Sequence, residues 1–324
     1  MKVLIIGGTG FIGPFVVQQL VEQGHAVAVF NRGRSDTKLP DGVQVIRGDR
    51  QELPKFVGQF KQFAPDVVLD MIPFFEKDAL AVVNTFQGIA RRTVMISSGD
   101  VYQAFARIHG KDQSPVDPGM ITESSPLRSQ LFLYRGSRTG EFFDNYDKIP
   151  CEKAYLSKPN LLPGTVLRLP VVYGPRDNQH RFRSYIDQMV EGVPAIRMQK
   201  EWGNFQWTHG YVENIAHAIV RAVTDERAAN RIYNVGDVET RPFKDWVRDV
   251  GTQFGWQGEI LLVDQEELPD SERTNANLEQ HMICDTSAIR RELGYEEIVP
   301  YEEGLRRTIE WERTTDESDL TDIT

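Results

Sequence analysis

The sequence predicts an α/β protein, a doubly wound parallel sheet followed by a smaller C-terminal α/β domain. Three observations carry this. The first hundred residues alternate short β-branched apolar runs with longer amphipathic stretches, as βαβ units do. A glycine-rich turn joins the first apolar run to the first amphipathic one. After Pro170 the rhythm changes to helical stretches separated by short strands.

The first strand is expected over residues 3–6, a continuous apolar run suited to a strand buried on both faces. A helix follows over 11–22, with Phe11, Val16, Val17 and Leu20 on one stripe. Strands are expected at 26–30, 43–46, 67–71 and 93–96, with a helix near 77–89 before the last of them. Residues 103–145 carry Gly110, Pro115, Pro118, Gly119, Pro126 and Gly136 and no sustained period, so they read as a long insertion of the kind that is either functional or disordered. A helix near 147–158 and a strand at 165–169 resume the pattern. Beyond Pro170, helices are expected near 181–191, 211–223, 243–254, 287–293 and 301–311, with a strand at 231–235. These divide the chain into residues 1–170, a dinucleotide-binding domain containing the insertion, and 171–313, a substrate domain that can return a strand or helix to the first. The acidic tail, 314–324, is expected to fray.

Composition narrows the function. The chain has 324 residues, 40% hydrophobic and 26% charged, which places it among globular proteins with a substantial core. With 37 Lys+Arg against 47 Asp+Glu the net charge is −10, which counts against a broad nucleic-acid face while leaving room for a local basic patch. Cys151 and Cys284 are the only cysteines, too few for a disulfide framework, and the six histidines show no metal-ligand spacing, so no metal is expected. No membrane span or signal peptide is apparent, and a reducing cytoplasm is the expected compartment.

Gly7, Gly10 and Gly13 form G-x-x-G-x-x-G directly between the first strand and the first helix. A turn of this kind lets the backbone approach a pyrophosphate, and the helix N-terminus supplies N–H groups to it. The expected contacts are Gly7, Gly10, Phe11, Ile12 and Gly13 in a Rossmann-type fold. At the end of the second strand an acid would grip the ribose of NAD; the sequence has Asn31-Arg32-Gly33-Arg34 instead. Arg32 and Arg34 can pair with a 2′-phosphate, so NADP is favoured over NAD, although both also read as solvated loop charges.

Further segments add to the turn: Gly48-Asp49-Arg50, Ser97-Ser98-Gly99-Asp100-Val101-Tyr102, and Leu167-Arg168-Leu169-Pro170-Val171-Val172-Tyr173-Gly174-Pro175. With these the chain resembles the extended short-chain dehydrogenase/reductases, the family of nucleotide-sugar epimerases and dehydratases, over nearly its whole length. The resemblance implies that Asp49 and Arg50 lie at the adenine, Pro170 and Tyr173 beside the nicotinamide, and Ser98 at the catalytic Ser/Thr. It also implies substrate contacts from Tyr102, Arg176, Arg183 and His209, for which core packing or a solvated helix face is an equal reading.

One landmark is missing. The family's Tyr-x-x-x-Lys occurs nowhere in this chain. Lys148, followed by Glu152, matches the Lys position; Asp144 then falls at the Tyr position, and Tyr146 lies only two residues before Lys148. Residues two apart on a helix face different ways, so Tyr146 can serve only if the helix starts after it. Arg138, four after Tyr134, offers a third pairing. The expectation is an NAD(P)-dependent epimerase, dehydratase or reductase acting on a nucleotide sugar or related hydroxylated metabolite. Ser98 would orient the reacting oxygen, Tyr146 act as acid/base, and Lys148 hold the nicotinamide ribose. The alternative is a degenerate member that senses cofactor or binds RNA; Asn31-Arg32-Gly33 with the broken motif is similar to atypical relatives that act on RNA. A homodimer is left open.

Overall fold

The computed structural model describes residues 1–136 and 140–315; Arg138 and the acidic stretch 316–324 lie outside the described residues. The alternating region forms β1 (Lys2–Ile6), α1 (Gly13–Glu22), β2 (Ala26–Asn31), β3 (Gln44–Arg47), α2 (Val57–Phe63), β4 (Val67–Asp70), α3 (Glu76–Phe86) and β5 (Arg92–Ser98). Then come α4 (Gln103–Ile108), α5 (Glu141–Asn145), α6 (Lys148–Tyr155), β6 (Gly164–Leu169), β7 (Val171–Tyr173), α7 (Arg183–Val190), β8 (Ala195–Gln199), α8 (Lys200–Asn204) and β9 (His209–Tyr211). The chain continues as α9 (Val212–Thr224), β10 (Arg231–Asn234), α10 (Phe243–Phe254), β11 (Glu259–Val263), α11 (Ser287–Leu293) and α12 (Tyr301–Thr314).

Seven parallel strands make the central sheet, in the order β10-β6-β5-β4-β1-β2-β3. The order reverses between β1 and β4, the place where open α/β sheets bind ligands beyond the carboxyl ends of their strands. Both faces are covered, which is why β1, β2 and β4 in the middle of the sheet read as nearly continuous apolar runs. Val3, Ile5, Val27, Val29 and Leu69 meet α1 and α9 on one face; Leu4, Ile6, Ala28, Phe30 and Val68 meet α3 and α6 on the other. β10 follows residue 170 yet pairs with β6, so the sheet draws on both sides of that boundary. Two further parallel pairs, β7 with β9 and β8 with β11, lie outside the central sheet.

The 103–145 insertion is tied down at several points. Tyr102 bridges to Leu127 and Ile121 to Cys284. Val101, Phe105, Ile121 and Leu133 share a separate apolar cluster with Leu278 and Met282. A buried polar network anchors it to the sheet. The Arg168 guanidinium holds Glu152 (2.7 Å) and donates to the Tyr102 hydroxyl (3.0 Å) and the Glu123 carbonyl (3.0 Å). Tyr102 in turn donates to Asn234 Oδ1 (2.5 Å) at the end of β10.

Candidate functional site

The glycine turn begins at the carboxyl end of β1, where Gly7 (φ +95°) and Gly8 (φ +86°) take left-handed conformations closed to most side chains. A Cβ on Gly13 would sit 2.4 Å from the Gly8 carbonyl carbon, so α1 can start this close to the turn only as glycine. Gly10 is the opposite case: a Cβ there meets nothing within 4 Å, so its outer face is open. Pro14 opens α1, where a missing N–H costs nothing. The turn thus fits a dinucleotide pyrophosphate: backbone N–H groups, a helix start and clear space.

At the end of β2 the Asn31 side chain accepts from Gly33 N (3.0 Å) and from Arg47 Nη1 (2.5 Å). Arg32 and Arg34 are exposed, so three guanidinium groups gather where an NAD site would place an acid. Arg47, on β3, had no sequence signal, because only strand pairing brings it opposite Asn31. Asp49 caps the next turn by accepting from Gln51 N (2.9 Å). Arg176 (φ +74°) donates to Thr37 Oγ1 (2.6 Å), whose own hydroxyl bonds the Thr9 carbonyl (3.0 Å). The arginine therefore leans on the glycine turn.

Across the sheet, α6 starts at Lys148, and its cap, Asp147, accepts from Ile149 N (2.9 Å). Tyr146 consequently lies in the loop before the helix. Lys148 is buried, and its Nζ donates to the carbonyls of Pro73 (3.1 Å) and Ile96 (3.0 Å), beyond β4 and within β5. An ammonium has three donors, so one remains for a ligand hydroxyl. Burial lowers its pKa. The ammonium lies 5.9 Å from the centroid of the Tyr146 ring, and the Tyr146 hydroxyl donates to Asp100 Oδ2 at 2.8 Å. Burial and the Asp100 carboxylate push the phenol well above its ordinary pKa, and burial pushes the Asp100 carboxyl up as well. Ser98, at the end of β5, accepts from Asp100 N (3.2 Å). Phe74, Phe142 and Tyr134 pack around Tyr146 with ring centroids 5.6–6.1 Å away.

Several other residues singled out by the resemblance are engaged within the fold. Tyr102 is 1% exposed and its hydroxyl is engaged by Asn234 and Arg168, so it braces the insertion instead of meeting substrate. Arg50 pairs with Asp70 (2.9 Å) and Asp78 (3.5 Å), tying the β4 end to α3 instead of reaching a base. His209 is buried, bonds the Trp207 carbonyl (2.6 Å) and packs on Trp246. Arg183 binds Asp187 (2.9 Å) and the carbonyls of Glu312 (2.6 Å) and Thr315 (3.2 Å), on the α7–α12 side. The Tyr173 ring is buried among Phe182, Tyr211 and Trp246, and Pro170 is half-buried between β6 and β7. Asp144, at the family's Tyr position, lies on α5 and its carbonyl accepts from Arg135 (2.9 Å). Asp100 and Arg128 escaped the sequence reading; Arg128 grips Asp147 with both Nη groups at 2.7 and 2.9 Å. Among the described residues no cluster of three His, Cys, Asp or Glu could hold a metal, and no helix is long and apolar enough to cross a membrane.

Known proteins resemble this chain over nearly its whole length. UDP-N-acetyl-alpha-D-glucosaminuronate decarboxylase of Bacillus cytotoxicus is 22% identical, over 96% of this chain and 98% of that protein. The chloroplast stem-loop binding protein of 41 kDa b of Arabidopsis thaliana is 23% identical, over 94% of this chain and 77% of that protein. The structure of dTDP-glucose 4,6-dehydratase from Bacillus anthracis in complex with NAD superposes with a TM-score of 0.73 at 18% identity, covering 99% of this chain and 100% of that one. The profile of one family matches residues 3–120 and 152–236, passing over the segment that holds Arg128, Tyr146 and Lys148. The chain belongs to the NAD dependent epimerase/dehydratase family.

Proposed function

We propose that this protein binds NADP in preference to NAD and acts on a nucleotide sugar or a related hydroxylated metabolite by epimerisation, dehydration or reduction. The observation that carries the reading is the buried Lys148 ammonium, held by two carbonyls with one donor left over at the carboxyl ends of β4 and β5. Gly7, Gly10, Phe11, Ile12 and Gly13 would hold the pyrophosphate, Arg32, Arg34 and Arg47 a 2′-phosphate, Asp49 the adenine side, and Lys148 the nicotinamide ribose. The dinucleotide supplies a hydride acceptor and donor when bound. Ser98 orients the reacting oxygen and Tyr146 exchanges a proton with it. The uridine diphosphate sugar in the name of the Bacillus relative supports the substrate class.

Calorimetry with NADP and NAD tests the cofactor, and mass spectrometry of the protein as purified shows which nucleotide it retains. Micromolar NADP binding with weaker NAD binding is expected; no binding of either overturns the reading. The likeness to the stem-loop binding protein favours one second reading, an RNA-binding member. RNA affinity with a steep salt slope would decide for it.

A further inference from the structure

We propose that Asp100 is the proton acceptor behind Tyr146, so that a Tyr–Asp relay stands where the family's Tyr–Lys pair is missing. This rests on the redox reading above. The Tyr146 hydroxyl directs its proton at Asp100 Oδ2 (2.8 Å), which leaves the lone pairs of the phenol oxygen to receive a proton from a substrate hydroxyl. Lys148 has two donors fixed on the carbonyls of Pro73 and Ile96 and its third is assigned to the ribose, so the hydrogen-bond partner of the phenol is Asp100.

Asp100 is built into the site. It is 7% exposed, its N–H donates to Ser98 Oγ, and its second carboxylate oxygen is buried without a partner. A buried carboxylate with an unmet oxygen is costly in a resting fold and calls for a function. The groups facing it are Arg128 from the insertion, whose Nε donates to the Asp100 carbonyl (2.9 Å), together with Lys148 and Asp147 at the start of α6; Tyr134 stands behind Tyr146. Burial makes this carboxylate a stronger base than a surface one, and Arg128 and Lys148 oppose that rise without cancelling it.

The step balances as follows. The substrate O–H bond breaks and its proton forms a bond to Tyr146 Oη. The original Tyr146 proton moves to Asp100 Oδ2. The electron pair of the substrate C–H bond leaves as hydride to the oxidised nicotinamide dinucleotide, and the C=O bond forms. Asp100 ends as a neutral acid, and reduction of the carbonyl runs the same transfers backward. The phenol stays neutral throughout, so the elevated phenol pKa is no obstacle.

Asp100→Asn keeps an oxygen for the Tyr146 hydroxyl but cannot take its proton. With UDP-glucose or dTDP-glucose as probe, kcat should fall roughly 10²–10⁴-fold, with KM and dinucleotide Kd within about twofold of wild type. The acidic limb of the wild-type pH profile should disappear, Tyr146→Phe should cost as much, and the double variant no more. A second measurement needs no cofactor. In ¹³C-tyrosine NMR of the free protein, with the Tyr146 signal assigned from Tyr146→Phe, the phenol should resist ionisation well beyond the ordinary tyrosine range, and its titration should move down in Asp100→Asn while staying raised by burial. A Tyr146 titration that Asp100→Asn leaves unmoved, or turnover that survives it, overturns the relay alone. A wild-type protein that binds neither dinucleotide overturns the redox reading and the relay with it.

Discussion

At the scale of single residues, Gly10 gives the cleanest test of the cleft. Its φ is not left-handed and its Cβ position is empty, so Gly10→Val should fold with a melting temperature within a few degrees of wild type while NADP and NAD binding disappear from calorimetry. A stable variant of unchanged affinity would place the dinucleotide elsewhere. The three arginines invite a second comparison. Arg32→Ala and Arg47→Ala should each weaken NADP by about 1.5–3 kcal/mol, the worth of a hydrogen bond to a charged group, and leave NAD nearly untouched. Equal losses for both cofactors would deny them a 2′-phosphate. The glycines could be read from the sequence because their work is local, set by neighbours within a few residues. Asp100 and Arg47 could not, because each acquires meaning from a partner that only the folded sheet brings near: Tyr146 lies 46 positions from Asp100, and Asn31 lies 16 from Arg47.

Among the elements, α6 decides whether a Tyr two residues before a Lys can share its site. Asp147 caps the helix and Pro150 sits in its first turn, so the helix begins at Lys148 and releases Tyr146 into the loop. The cap is held in turn by Arg128, a contact 2% and 1% exposed on its two sides. Arg128→Met should therefore cost about 3–5 kcal/mol by stranding the Asp147 carboxylate. It should also raise amide exchange through residues 128–136 and 140–147, which a urea melt and hydrogen-exchange mass spectrometry would show; protection equal to wild type would mean the insertion is held elsewhere. The long buried strands and α10, α11 and α12 were legible from apolar runs and helical periodicity. β8, β9 and β11 were not: strands of three to five residues carry too little pattern to separate from loop, and they exist through pairing with one another or with β7.

For the molecule as a whole, two neighbouring groups pull stability in opposite directions with pH. His209 is 7% exposed, and burial holds its pKa down to about 4, against about 6.5 in the unfolded chain. Its contribution is complete above about pH 6.5 and is lost as pH falls toward 4, on the order of 2–3 kcal/mol. Asp237, whose N–H bonds the His209 carbonyl (2.8 Å), is pushed up to about 7, mainly by burial. Its contribution is greatest below about pH 4 and disappears as pH rises through 7. Urea unfolding at pH 4.5 and 7 should therefore give similar wild-type stabilities. His209→Phe should tilt the balance toward acid and Asp237→Asn toward neutral pH; parallel profiles for all three proteins would refute the assignment. The joining of β10 to β6 has a consequence for the birth of the chain. On the ribosome, every residue around the cofactor turn emerges long before Asn234, yet Asn234 closes the Tyr102–Arg168 network that moors the insertion. A nascent chain halted at residue 230 would carry a bare β6 edge and an insertion still lacking its Asn234 contacts, so this part of the fold closes only after β10 has emerged.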